Sequence, residues 1–106
     1  MAFSEKLIQQ VWEKARALDD RNADEWREDE CGAWLLREAY NHELSDYGWR
    51  IINTSPGEAD TIDNLRPLHC KNTFDYPHAK AHCHVSADRE GVLPTAHVGE
   101  PVNKPV

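Results

Sequence analysis

The sequence lacks the features of a membrane protein, a secreted disulfide scaffold or a protein that grips nucleic acid. No apolar run approaches the roughly 20 residues that span a bilayer, and residues 1–6 lack the apolar stretch of a signal peptide. Three cysteines cannot form a closed disulfide framework, so we expect a reducing, cytoplasmic setting. The net charge of −7 disfavours contacts with phosphates, because those contacts need positive charge.

The overall composition of the chain is typical of one small folded domain. The chain has 106 residues, of which 40% are hydrophobic, and it contains four tryptophans. This is enough for a compact core and too apolar for a disordered chain. We predict a single domain over residues 1–84. Residues 85–106 hold three of the six prolines and no periodic pattern, which predicts a flexible tail.

The first segment has the pattern of a helix with one buried face. Ser4 is placed to cap the first turn, since its hydroxyl can accept a free backbone N–H. The spacing predicts a leading helix over about residues 4–18. The apolar residues that recur at this spacing are Leu7, Ile8, Val11, Trp12, Ala15 and Leu18. All four tryptophans (12, 26, 34 and 49) are expected in the core.

Two later segments, Cys31–Arg37 and Tyr47–Ile52, are rich in aromatic and branched residues. They predict two strands joined as a hairpin through the polar stretch between them. Cys31, at the start of the first strand, is expected to be a small buried hydrophobic residue rather than a nucleophile. The acidic segment Asp19–Glu30 is expected to be a solvated connection that Trp26 anchors to the core.

A short helix is expected from about His69 to Tyr76, where Pro77 ends it. The predicted fold class is therefore α+β. It consists of the leading helix packed on a ββα unit over about residues 30–77, followed by the flexible tail.

Three motifs lie in order along this part of the chain. They are Trp26-Arg-Glu-Asp-Glu-Cys-Gly-Ala-Trp, Tyr47-Gly-Trp-Arg-Ile and Asp63-Asn-Leu-Arg-Pro-Leu-His. With these motifs, the stretch from Trp26 to about Pro77 resembles the HNH endonuclease family. The resemblance implies a ββα-metal unit, in which a hairpin and a helix clamp one divalent cation.

The resemblance also implies where the nuclease chemistry would lie. In active members the second strand ends in an Asp-His pair that supplies a metal ligand and a general base. A central Asn orients that His, and a His or Asn on the helix completes the metal site. Here the corresponding residues are Ile52, Asn53, Asn64 and Thr73. Ile52 has no lone pair for a metal, and the amide of Asn53 cannot take a proton near neutral pH.

The resemblance therefore implies a degenerate HNH domain without nuclease activity that acts as a binding or interaction module. We expect a protein partner in preference to nucleic acid, which the net charge disfavours, and no membrane. No cofactor is predicted, although a divalent Zn or Mg ion stays open as an alternative.

Two alternative functions stay open. The first is an active metal-dependent endonuclease in which His69 and Asn72, or a histidine-rich cluster, replace the lost groups. The second is a structural protein stabilised by zinc at that cluster, although the chain lacks the paired Cys-x₂-Cys spacing of most structural zinc sites. The cluster consists of His78, His82, Cys83 and His84.

Overall fold

The computed structural model describes residues 3–19, 21–88 and 102–106. These residues form one α-helix and eight short strands, which pair in chain order as four antiparallel two-stranded sheets. The elements are α1 (Glu5–Trp12), β1 (Trp26–Glu28), β2 (Trp34–Leu36), β3 (Trp49–Asn53), β4 (Leu65–His69), β5 (Thr73–Asp75), β6 (Lys80–His82), β7 (Val85–Ala87) and β8 (Asn103–Pro105). The predicted α+β fold of a helix packed on a ββα unit is wrong, because small β-hairpins make up most of the described chain.

The start of α1 is as predicted, and its end is not. The Ser4 hydroxyl accepts the Leu7 N–H at 3.1 Å, which confirms the N-cap. The helix ends at Trp12 instead of continuing to about residue 18. Arg16 instead exchanges two backbone hydrogen bonds with Glu28, at 2.8 and 2.9 Å. This pairing draws the chain into an extended conformation, so tertiary pairing overrides the local helical pattern.

The predicted hairpin between Cys31–Arg37 and Tyr47–Ile52 is also wrong. β2 pairs with β1, in the segment expected to be a solvated connection, and β3 pairs with β4. The turn between β1 and β2 explains the difference. Asp29 accepts N–H groups within the turn, and Gly32 adopts a left-handed φ of 81° that favours glycine.

The core lies between α1 and the β3–β4 hairpin. Trp12 and Trp49 are fully buried there with ring centroids 5.3 Å apart. Trp34 is buried as well, while Trp26 is only partly buried. The core expectation is thus confirmed for three tryptophans. The buried residues of this cluster are Ile8, Val11, Trp12, Ala15, Leu35, Trp49 and Leu65.

The helix predicted from His69 to Tyr76 does not form. His69 is the last residue of β4, and β5 pairs with β6 through a short 3₁₀ turn over Tyr76–His78. β-branched Thr73 and aromatic Phe74 favour strands over helices, and β6 offers them a pairing partner. The element expected to carry the third metal ligand of an HNH site is therefore a β-hairpin.

The predicted tail falls partly on residues 89–101, which lie outside the described residues. On either side of them, β7 pairs with β8, and Val85 and Ala87 are buried. The Asn103 side chain accepts the Trp34 N–H at 2.7 Å and donates to the Trp34 carbonyl at 3.0 Å. Asn103 thus ties β8 to β2.

A disulfide joins Cys31 to Cys83 across 52 positions of sequence. The expectation that Cys31 is an unpaired buried thiol is therefore wrong. The cytoplasmic expectation rested on unpaired cysteines, whereas disulfides persist mainly in oxidising compartments. Of the described residues, none belongs to a helix with the length and apolarity that crossing a membrane requires.

Candidate functional site

The first HNH position to consider is Ile52, which stands where the resemblance implies a metal-binding Asp. Ile52 lies in β3 opposite Arg66 of β4. Its side chain is buried, with 8% of the residue exposed. An aliphatic side chain in this place contributes to packing and offers no atom to a metal ion.

Asn53 and Asn64 remain polar, and both hold the loop between β3 and β4. The Asn53 side chain accepts the Ser55 N–H at 2.8 Å and donates to the Asp60 carboxylate at 3.0 Å. The Asn64 side chain donates to the Ala59 carbonyl at 2.9 Å. These hydrogen bonds fix the loop over residues 55–61, so both amides already have partners within the protein.

His69 and Asn72 are the residues that the alternative of an active nuclease requires as catalytic substitutes. His69 is 1% exposed. Its Nε2 lies 2.8 Å from the Asp46 carbonyl, and its Nδ1 accepts the Lys71 N–H at 3.0 Å. Because a carbonyl only accepts, the proton sits on Nε2. Both ring nitrogens are therefore bonded to the backbone.

Asp29 is the centre of the buried polar network that contains these two residues. Its Oδ2 accepts the His69 N–H and the Asn72 side-chain amide, both at 3.0 Å. Its Oδ1 accepts the Cys31 and Ala33 N–H groups at 3.0 and 2.9 Å. Four donors around one carboxylate offset the cost of burying its charge.

Asn72 extends the network to the start of β7. Its side-chain oxygen accepts the N–H groups of His84 and Val85 at 2.7 and 2.9 Å. Asn72 is fully buried, whereas its neighbour Thr73, the other position considered for the helix ligand, is exposed on β5. Asn72 thus supports the fold by joining β4, the Asp29 turn and β7.

Sequence reasoning missed the role of Asp29. A signal was present, because Asp29-Glu-Cys-Gly32 places Asp at the first and Gly at the fourth position of a turn. The acidic neighbours of Asp29 hide this signal within a segment whose composition predicts a solvated connection.

The histidine-rich cluster divides into separate parts. His78 Nδ1 lies 2.8 Å from Asp75, and this hydrogen bond lowers the pKa of the Asp75 carboxyl. Cys83 is in the disulfide. The rings of His82 and His84 stack with centroids 4.7 Å apart. Across the described ranges, no three His, Cys, Asp or Glu side chains are arranged to hold a metal ion.

The remaining thiol, Cys70, follows directly after β4. It is partly buried, and this burial raises the pKa of its thiol. A raised pKa keeps the thiol protonated near neutral pH and makes it a poor nucleophile.

A cleft of about 530 Å³ lies beside β4. Two ion pairs line it: Arg16 with Glu28 at 2.7 Å, and Arg66 with Glu30 at 2.9 Å. The residues that line the cleft are Lys14, Ala15, Arg16, Glu28, Asp29, Glu30, Gly32, Arg66 and Pro67.

The cleft is lined by three cations and three carboxylates, and the cations are the more exposed. The Glu28 side chain is fully buried, whereas that of Arg16 is 68% exposed. The side chain of Arg66 is 43% exposed, and that of its partner Glu30 is 34% exposed. Asp29 is buried and saturated by its four donors. The formal charges of the cleft cancel, and the Lys14 ammonium already donates to the Ile62 and Leu65 carbonyls at 2.7 and 2.6 Å.

Comparison with protein-family models, curated proteins and solved structures finds no match to this chain. The function is therefore inferred from the residues and geometry described above.

Proposed function

We propose that this protein is a non-catalytic binding module, related in sequence to the HNH endonucleases, that takes an acidic segment of a partner protein into the cleft beside β4. One observation carries the non-catalytic part. The polar side chains at or near the HNH positions, those of Asn53, Asn64, His69 and Asn72, are bonded to the protein's own groups. A general base needs a free lone pair within reach of a water or substrate.

The exposure of the cations in the cleft supports the choice of an acidic partner segment. Arg16 and Arg66 are more exposed than their carboxylate partners, and carboxylate side chains of a ligand complement them. The net charge of −7 opposes the approach of a long polyanion such as nucleic acid. A short acidic segment of a larger protein brings only a few negative charges to the cleft. Salt screens their repulsion from carboxylates of this protein that lie more than a Debye length away.

Selection of peptides from a random display library on the immobilised protein tests this proposal. We expect the selected peptides to be enriched in Asp and Glu and to bind more weakly as salt is raised. The variant Arg66→Gln is expected to bind them at least tenfold more weakly, since it removes one exposed cation and leaves the fold intact. Loss of the ion pair between Arg66 and Glu30 costs little stability, because Glu30 is partly exposed.

Lys80→Gln is the matched control, because it removes one exposed cation that does not line the cleft. The proposal predicts that this control retains wild-type affinity for the peptides. Equal losses in both variants would show a non-specific charge effect and contradict the assignment of the cleft. Selection of neutral or basic peptides would contradict the partner chemistry.

A further inference from the structure

His82 and His84 are a pair of exposed imidazoles at the junction of β6 and β7. Their ring planes lie 16° apart, and the ring centroids are separated by 4.7 Å. Both residues are exposed. No group among the described residues hydrogen-bonds to either ring, whereas His69 and His78 use ring nitrogens in the contacts given above. The pair therefore has ring lone pairs that the fold does not use.

The backbone beneath the pair is held from several directions. His82 pairs with Thr73 across β5 and β6. His84 donates its N–H to buried Asn72 at 2.7 Å, and its carbonyl accepts the Val106 N–H at 2.9 Å. Cys83, between the two histidines, is bonded to Cys31. The two imidazoles thus start from fixed neighbouring positions, and only side-chain rotations remain to be ordered on binding.

From this geometry we propose that His82 and His84 together bind one divalent late transition-metal ion, such as Cu²⁺, Ni²⁺ or Zn²⁺. Neutral imidazole nitrogen is a preferred ligand of these ions. The two ring centroids are only 4.7 Å apart, so rotation of the side chains can bring one nitrogen of each ring to the same ion. Water fills the remaining coordination positions. This site is separate from the cleft and does not depend on its proposed function.

The Irving–Williams order places Cu²⁺ first among these ions for a nitrogen and oxygen site, so Cu²⁺ is the probe of choice. The titration is made at pH 7.5, because a metal displaces protons from its ligands and binds less well at lower pH. We expect calorimetric titration of the full chain to show one Cu²⁺ bound per chain, and its electron paramagnetic resonance spectrum to show nitrogen coupling. The variants His82→Asn and His84→Asn are each expected to bind Cu²⁺ at least tenfold more weakly.

His78→Asn is the control, because His78 is an exposed histidine near the pair whose Nδ1 is bonded to Asp75. It is expected to bind Cu²⁺ as the wild type does. All three substitutions are at exposed positions, and thermal melts would confirm that each variant folds. Wild-type affinity in the two single variants would overturn the proposal. So would an equal loss in the control, because the metal would then lie elsewhere.

Discussion

Replacing Asp29 with alanine is expected to lower the free energy of unfolding by about 3 kcal/mol or more, because each buried donor left unpaired costs about 1–3 kcal/mol. The change leaves four donors without their acceptor: three backbone N–H groups and the Asn72 amide. Three of these residues, Ala33, His69 and Asn72, are almost fully buried, so water cannot readily replace the carboxylate. Urea denaturation followed by tryptophan fluorescence measures the effect.

Glu30→Ala is the matched control for this prediction, because it removes the neighbouring carboxylate from a partly exposed position. Glu30 makes a surface ion pair with Arg66, and such pairs contribute about 0–1 kcal/mol. A similar loss of stability in both variants would contradict the central role of Asp29. A loss confined to Asp29→Ala would support it.

Removing the disulfide by the double substitution Cys31→Ser/Cys83→Ser is expected to lower the free energy of unfolding by about 4 kcal/mol. The bond closes a loop across 52 positions, and chain entropy of the unfolded state sets this magnitude. Thermal or urea unfolding of the double variant beside the wild type measures the loss.

A dithiol reductant provides the control for the disulfide prediction. Reductant should destabilise the wild type by nearly the same amount and leave the double variant unchanged. If reductant has no effect on the wild type, the bond is absent in solution and the prediction fails.

The Asp29 and Asn72 hydrogen bonds connect the turn after β1 to residues 84–85, next to Cys83. The disulfide and this network therefore tie the same two segments, and their effects on stability should not be additive.

Elements with strong local signals could be predicted from the sequence. Ser4 begins α1 because a capping hydroxyl acts within one turn. Trp12 and Trp49 are in the core because large aromatic residues gain the most from burial. These features depend on short-range chemistry or on composition, and both can be read without the fold.

Strand pairing could not be predicted in the same way. β1 lies in an acidic segment whose composition does not suggest a strand. The turn that pairs β1 with β2 depends on Asp29, which also accepts a hydrogen bond from the distant His69 N–H. The hairpin of β5 and β6 replaces a predicted helix because Thr73 and Phe74 find partners in Ala81 and His82. The intrinsic helix propensity of these residues is small compared with the stabilisation that strand pairing provides.

The departures from the HNH motif can be read from the sequence, but the contacts of these residues cannot. That Asn53 cannot act as a base follows from its amide alone. Its hydrogen bonds to Ser55 and Asp60 depend on the path of the loop. The sequence likewise does not show that the rings of His82 and His84 stack, or that Cys83 between them is bonded to Cys31.

A plasmid-nicking assay tests most directly our proposal that the protein is non-catalytic and that the residues aligned with the HNH motif serve its structure. The repurified full chain is incubated at low salt with Mg²⁺, Mn²⁺, Ni²⁺ or Zn²⁺ in turn, beside a chelator control. Our account predicts no nicking above the chelator background with any of the four ions. Metal-dependent nicking that survives repurification and disappears with chelator would contradict it.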